Sequence, residues 1–455
     1  MLSGRIFPTF PSEFNSNDVS CLAYGLDGTI AFSSGPIVNF AFLSDQNQKI
    51  SKSIFKNQTC KHIKPMFSIS IGLNKVTSLT FDTKNFLPSD HLLYIGDIEG
   101  NIYIYDYHNH RFLTVFSPNS NFKESHYSSI SQISVYNYRS SHSNILNKGN
   151  KSSIFFRNIV VLFESRQIVS YTILKEKGQN SNESPVDHRN YFNSFYFFQN
   201  NSSSFNLLSS FSFSLNWELK LDSSFSTFSI DPFSNLRIFL YNHNKDSSFA
   251  IIRLVSNNGQ MKPMIIKSTS LDQYCLNNQT TSYTMIQTAQ FSHHFCGYVF
   301  VLTEHKLYLY DIQQDLFTLI KINNLTSPKS SHFSKILQFE SDDKKLLLVY
   351  KTGTMALLSF DHIHSNSSMN FISTQSSSAV LSLQSNELSN SVVDTESGLN
   401  SDSVSTQCEK ISYVVTNEIK HVISSQVFID CINLPYENFI VILYKPFGLA
   451  LFDLS

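Results

Sequence analysis

The sequence predicts an all-β protein built as a single seven-bladed β-propeller. Apolar stretches of about four to seven residues alternate with polar turns, and helical periodicity is nearly absent. A unit recurs along the chain: an apolar strand, a gap, a second apolar strand, a short turn and a third strand. The chain has 455 residues, of which 41% are hydrophobic and 14% aromatic, so it can fill the core of one closed propeller.

The clearest copy of the unit begins with Val76–Phe81 and Leu92–Gly96, continues through the turn Asp97–Asn101 to Ile102–Asp106, and ends with Arg111–Phe116. Its acidic-x-x-Gly turn suits a tight hairpin, because glycine accepts positive φ without steric cost. The Ile-x-Ile alternation after the turn places one side of the third strand in a core. The Tyr-Asp pair that ends this strand stands where WD40 repeats have Trp-Asp. One unit is therefore expected to form one four-stranded blade.

The same unit can be traced seven times. The last unit ends at Leu454, one strand short, and we expect Gly4–Phe10 to supply the missing strand and close the ring. The chain is thus predicted to be one domain, with blades at about 19–56, 76–116, 130–221, 225–268, 283–322, 333–375 and 411–454 plus 4–10.

Polar insertions interrupt the repeat at 144–151, 175–206 and 362–410. The last two are low-complexity segments rich in Ser and Asn, which cannot bury enough apolar surface to order themselves, and we expect disordered loops. Two interpretations stay open for 362–410. It is either an expansion tolerated in a surface loop or a loop that gains charge by phosphorylation and binds a partner.

Charge and cysteine usage limit the classes of partner and compartment. The chain carries 34 basic and 35 acidic residues, so no overall field favours nucleic acid or an anionic membrane. Its six cysteines lack a CxxC pair or a disulfide framework and are expected to be reduced and buried. Met1–Phe10 has no signal-peptide pattern. A soluble cytoplasmic protein is predicted.

Three groups of histidines are candidate metal ligands. His108 and His110 follow Asp106, while another group contains His293, His294 and Cys296. Each lacks a second ligand pair at metal-binding spacing, so turn or structural roles are favoured. The third group, His362 and His364, begins the long polar insertion, where solvated side chains are expected. The sequence predicts no metal site.

No catalytic or cofactor site is predicted either. The chain has no phosphate-binding glycine loop, GxSxG elbow or HExxH helix. The carboxylate pairs Asp97/Glu99 and Asp342/Asp343 are expected to stay solvated in turns. The starts of the innermost strands read as apolar, so polar groups are not expected to converge on a central channel. We therefore expect no enzyme and no cofactor.

The aromatic residues are a candidate platform for stacking nucleic-acid bases. Tyr103, Tyr105 and Tyr107 share one strand face without interleaved basic residues, so packing between blades is favoured. Trp217 lies in the alternating strand Leu215–Leu221 and is likewise expected to pack in the core.

Several segments together resemble the N-terminal propeller of the WD repeat-containing protein eleven family. They are Gly28–Phe32, Asp97–Asp106, Trp217 with Ser226–Phe233, and then, in order, Tyr298–Ile312, Ser334–Phe360 and Val414–Leu454. Nearly the whole chain is covered, but Tyr or Phe replaces the Trp of the Trp-Asp pair, and the family's second propeller has no counterpart here.

The resemblance implies a non-enzymatic scaffold in a vesicle-tethering complex between endosomes and the trans-Golgi network, with a FAM91-type subunit as partner. It also implies peripheral attachment at Golgi or endosomal membranes through partners. It supplies no binding residue that can be carried over. Two alternatives stay open: an adaptor of another assembly, such as a ubiquitin-ligase substrate receptor or coat subunit, and a propeller hydrolase. The residues themselves support only a rigid ring that presents loops to protein partners.

Overall fold

A computed structural model gives the fold of the chain. It describes residues 5–6, 19–25, 27–46, 60–82, 91–118, 127–136, 153–176, 211–234, 236–243, 245–257, 260–275, 285–293, 295–323, 332–338, 345–352, 354–363, 411–419, 427–433, 439–445 and 449–453.

The described residues form seven sheets, which we number in chain order. Sheets 1 and 2 contain β2 (Val19–Tyr24), β3 (Thr29–Ser34), β4 (Ile37–Gln46) and β5 (Cys60–Ser70), then β6 (Val76–Phe81), β7 (Leu92–Asp97), β8 (Ile102–Asp106) and β9 (Arg111–Phe116). Sheets 3 and 4 contain β10 (Ile130–Tyr136), β11 (Ser153–Phe163), β12 (Gln167–Glu176) and β13 (Phe211–Lys220), then β14 (Thr227–Ile230), β15 (Arg237–Tyr241), β16 (Ser248–Asn257) and β17 (Gln260–Ser270).

Sheet 5 contains β18 (Ile286–Phe291), β19 (Tyr298–Thr303), β20 (Leu307–Asp311) and β21 (Leu316–Leu319). Sheet 6 has five strands: β22 (Lys321–Asn323), β23 (Phe333–Gln338), β24 (Lys345–Tyr350), β25 (Met355–Ile363) and β26 (Ile411–Ile419). Sheet 7 contains β27 (Val427–Asn433), β28 (Phe439–Lys445) and β29 (Leu449–Asp453), together with β1 (Arg5–Ile6). A short helix, α1 (Asp272–Cys275), lies between sheets 4 and 5.

The core lies between neighbouring sheets, and strand β7 shows how. All six of its residues are buried. Leu93 and Ile95 pack in the cluster shared with sheet 1, whereas Leu92 and Tyr94 pack in the cluster shared with sheet 3. Because successive side chains of a strand point to opposite faces, a strand covered on both faces must be apolar throughout. Equivalent clusters join sheets 3 to 4, 4 to 5 and 5 to 6, so the sheets stack side by side as propeller blades.

The all-β propeller class is therefore confirmed. Six of the seven sheets have the four strands expected of a blade, and sheet 6 departs from the expectation by its fifth strand. Strand β27 of sheet 7 lies beside β23 of sheet 6 and β2 of sheet 1. Arg5 and Ile6 pair with Leu451 and Ala450, while the other residues of the expected closing strand lie outside the described part of the chain.

Two outer strands were assigned incorrectly from the sequence. The first unit was expected to end near residue 56, but its fourth strand is β5, which contains Pro65. Proline removes a backbone donor and is tolerated at a sheet edge, so it does not interrupt this outermost strand. Ile411–Ile419 was assigned to the last unit but pairs with β25, and so completes sheet 6.

The fifth unit, predicted at 283–322, ends in a segment that is divided between two sheets. Leu316–Leu319 pairs within sheet 5, whereas Lys321–Asn323 pairs in parallel with β26 on the outer edge of sheet 6. Of the predicted insertions, Lys175–Glu176 and His362–Ile363 belong to strands β12 and β25. The remainder of 175–206 and of 362–410, and all of 144–151, lie outside the described residues.

Candidate interaction face

Apart from β22, the strands of each sheet form an antiparallel meander, so successive connections lie alternately on the two faces of the ring. The turn between the second and third strands shares a face with the link to the next sheet, and we call this the link face. Main-chain hydrogen bonds join the two: Val76 N–H donates to Gly35 O (2.9 Å), and Ile286 N–H donates to Asp246 O (3.2 Å). On the opposite face, which we call the insertion face, end the strands that flank 144–151, 175–206 and 362–410. None of these three predicted insertions therefore lies on the link face.

Asp97 organises the best-defined turn of the link face. Its carboxylate accepts hydrogen bonds from Glu99 N–H (3.0 Å) and Asn101 N–H (2.7 Å), and from Asn101 Nδ2 (2.8 Å), Asn74 Nδ2 (3.0 Å) and Tyr103 OH (3.1 Å). Asp97 is fully buried, so the expectation that its carboxylate is solvated was wrong. With this many donors the carboxylate holds the turn in place.

The geometry of this turn requires a glycine at position 100 and keeps the Tyr103 hydroxyl protonated. Gly100 has φ of 84°, and a Cβ there would lie 2.7 Å from Ser128 O, so only glycine fits. Burial, followed by the charge of Asp97, raises the pKa of Tyr103 above its usual value, so this hydroxyl stays a donor. The turn is thus rigid where it meets sheet 3.

Two apolar side chains project from this part of the link face. Leu73 is 99% exposed and Ile98 is 50% exposed. Ile98 N–H donates to Lys75 O (3.0 Å), and Ile71 N–H donates to Pro36 O (3.1 Å), so main-chain bonds hold both segments. Large apolar groups held rigidly in water are typical of protein-binding surfaces.

A polar cluster lies on the link face between sheets 5 and 6. The Glu304 carboxylate lies 2.9 Å from Lys351 Nζ and 3.8 Å from His332 Nδ1, and the rings of His305 and His332 are 4.8 Å apart. The Lys351 ammonium lowers the pKa of Glu304. This pair therefore stabilises the fold where Glu304 is ionised, and the contribution is lost as pH falls through the lowered pKa. No sequence motif marks the cluster, since His332 is separated from Glu304 by a sheet-to-sheet link.

His108 and His110 lie on the insertion face, where they contact aromatic rings. The ring of His108 lies tilted against that of His91 (4.9 Å between centroids), and His110 meets the ring of Phe67 edge-on (4.3 Å). Burial lowers the pKa of His110. Tyr107 OH donates to Asp27 (3.0 Å), which joins sheets 1 and 2. Among the described residues, no group of three metal-ligating side chains includes these histidines.

The second histidine group also lies on the insertion face. His293 N–H donates to the side chain of Gln338 (2.9 Å), and the exposed Cys296 lies with its Sγ 3.6 Å from Arg237 Nη2. His294 and His364 lie outside the described residues, as do Asp342 and Asp343. Cys21, Cys296 and Cys431 form no disulfide, but only Cys431 is fully buried as expected.

Polar side chains of the innermost strands bond to the main chain of the neighbouring sheet at several places around the ring. Thr80 Oγ1 donates to Ile133 O (2.6 Å), and Gln132 Nε2 donates to Phe228 O (3.1 Å). Around the rest of the ring, Ser229 Oγ accepts from Phe291 N–H, Gln338 donates to Phe291 O, and Lys335 donates to Cys431 O. These groups join neighbouring sheets. Sequence reasoning missed them because Ser, Thr and Gln in a strand carry no signal of their partner.

The aromatic residues have the packing roles predicted for them. Tyr105 and Tyr107 are buried between sheets 1 and 2, with Tyr103 packed against them. Trp217 is buried between sheets 3 and 4. The predicted packing of these four residues between sheets is confirmed.

Comparison with known proteins shows the fold. The chain is similar to a chain in the crystal structure of the mitotic checkpoint complex, with a TM-score of 0.50, 7% identity, and coverage of 99% of this chain and 93% of that one. Two further solved structures also match. They are the C-terminal WD40 domain of Sif2 (TM-score 0.47, 8% identity, 100% and 99% covered) and the Myceliophteria thermophila Cps50 (Swd1) β-propeller domain (TM-score 0.45, 9% identity, 84% of each chain covered).

The chain therefore has a β-propeller fold. No family model and no curated protein matches its sequence. The resemblance to the WD repeat-containing protein eleven family is thus without a sequence match and stays a prediction. Within the described residues, no helix has the length and apolar character needed to span a membrane.

Proposed function

We propose that this chain is a protein-binding scaffold and that its partner docks on the link face around Leu73 and Ile98. The observation that carries the proposal is the exposure of these two apolar side chains on segments held by main-chain hydrogen bonds. A surface that is rigid before binding loses little conformational entropy when the partner arrives. The short connections beside it leave room for a broad contact.

Replacing both residues with aspartate, L73D with I98D, should abolish capture of the partner. Burying two charges in place of two apolar anchors weakens a complex by at least about 3 kcal/mol, or more than a hundredfold in Kd. Tagged protein purified from its own cells should lose the partner that the wild type retains. The matched control is M264D with I266D, which changes two exposed apolar residues on the outer strand β17. Loss of the partner from the control alone would overturn the proposal.

The narrower role that we propose is that of a subunit in a vesicle-tethering complex of endosome to trans-Golgi network traffic, located in the cytoplasm and at these membranes through partners. The support is the sequence resemblance alone. Mass spectrometry of the purified complex should then detect a FAM91-type or other Golgi tethering subunit. Detection of a ubiquitin-ligase core or a coat complex instead would replace this role by the adaptor alternative, while the scaffold proposal would stand.

We further propose that all seven sheets are blades of one ring and that Gly4–Phe10 closes it. The pairing of Ile6 with Ala450 supports this closure. Cysteines placed at these two positions, I6C with A450C, should form a disulfide under mild oxidation, because directly opposed Cα atoms in antiparallel strands lie within bridging distance. The variant R5C with A450C is one residue out of register and serves as the control. A cross-link in the control alone, or in neither variant, would contradict the closure.

A further inference from the structure

The cluster between sheets 5 and 6 brings together three groups that can ligate a metal ion. Glu304 and His305 lie in the turn between β19 and β20, and His332 directly precedes β23. One ligand atom from each residue lies within 4.8 Å of the other two. This is the only such group found among the described residues.

Main-chain hydrogen bonds fix where these residues stand. Phe333 N–H donates to Glu304 O (2.8 Å), and Lys351 N–H donates to His332 O (2.9 Å). The first bond joins the turn of sheet 5 to the start of sheet 6, and the second joins the start of β23 to the turn after β24 within sheet 6. The backbone is held, while both imidazoles are exposed and Glu304 is half-buried. The side chains can therefore turn toward a common ion without a change in the fold.

Two imidazoles and one carboxylate form a ligand set that suits Zn²⁺. Zinc holds nitrogen and oxygen ligands at about 2.0–2.2 Å, so tetrahedral ligand atoms lie about 3.3 Å apart. Reaching this spacing from 4.8 Å requires only small rotations of exposed side chains. The Lys351 ammonium contacts Glu304 Oε1, and His332 Nδ1 lies near Oε2. Oε2 can therefore ligate the ion while Oε1 stays paired with Lys351.

We propose that Glu304, His305 and His332 bind one Zn²⁺ on the link face, with water at the fourth position. The ion joins the turn of sheet 5 to the first strand of sheet 6. This site is independent of partner docking at Leu73 and Ile98.

Titration of tag-free, metal-stripped full-length protein with Zn²⁺ against a chromophoric chelator tests the proposal. Wild type should bind one equivalent. H305A, H332A and E304Q should each weaken binding at least about tenfold, the scale seen when even an outer partner of a metal ligand is lost. K351M removes a competing positive charge and should tighten binding about fivefold. A rise in melting temperature with Zn²⁺ should occur in wild type and disappear in H332A.

H293A is the matched control, because His293 is also exposed but lies on the insertion face. It should bind Zn²⁺ as the wild type does. The proposal is overturned if wild type binds no Zn²⁺, or if H332A binds it unchanged. It is equally overturned if H293A loses the site. K351M keeps all three ligands, and with Co²⁺ it should show the visible absorption of a nitrogen and oxygen ligand set. This readout does not depend on whether the alanine variants fold.

Discussion

Replacing Asp82 with alanine is expected to lower the free energy of unfolding by about 3–5 kcal/mol, the usual cost of removing one partner from a buried ion pair. Asp82 follows the innermost strand of sheet 2, and its carboxylate pairs with Arg157 Nε of sheet 3. The Asp82 side chain is 0% exposed and that of Arg157 is 10% exposed. In the variant the guanidinium would stay buried without this carboxylate, far from water that could solvate it.

Chemical denaturation of four proteins measures the effect: wild type, D82A, R157M and the double variant. The double variant should recover most of the stability that D82A loses, because it removes both charges together. If the two single losses simply add in the double variant, the pair does not couple sheets 2 and 3. A loss below about 1 kcal/mol in D82A would mean that the pair is solvated in solution.

Replacing Asp97 with alanine should cost about 3 kcal/mol or more. Its buried carboxylate satisfies two main-chain donors and three side-chain donors around one turn, and alanine would leave them without this acceptor. The change should lower the midpoint of urea unfolding without altering the slope.

Asp311 offers a matched control for this turn. Its carboxylate accepts from Gln313 N–H (2.8 Å) and Gln314 N–H (3.0 Å) in an exposed turn of sheet 5. Water can replace the carboxylate there, so D311A should cost about 1 kcal/mol or less. Equal losses in D97A and D311A would show that the burial of Asp97 is not what stabilises the fold.

The central strands of the sheets could be predicted from sequence because they are buried on both faces. Residues 92–97 and 298–303 form nearly unbroken apolar runs, and the turn that follows each contains an acidic residue. The outer strands contact only one neighbour and tolerate polar residues. In β5, Pro65 and the surrounding lysines hid an edge strand, and β26 could not be placed across the insertion that precedes it.

The candidate sites were harder to predict than the fold. The sequence places Ile98 in a turn and Leu73 between two units, but only the structure shows that both side chains are exposed on one face. Glu304 and His332 meet because β23 begins on the face where the turn between β19 and β20 lies. Contacts that depend on which loops share a face follow from topology and leave no local motif.

Cross-linking mass spectrometry of the natively purified complex tests most directly whether the partner docks on the link face. Amine-reactive reagents can report on exposed lysines of both faces. We expect partner cross-links at the link-face residues Lys75, Lys306 and Lys351, and few at Lys262 on the outer strand β17. Cross-links concentrated at Lys262, with the three link-face lysines still fully reactive in the complex, would contradict docking on this face.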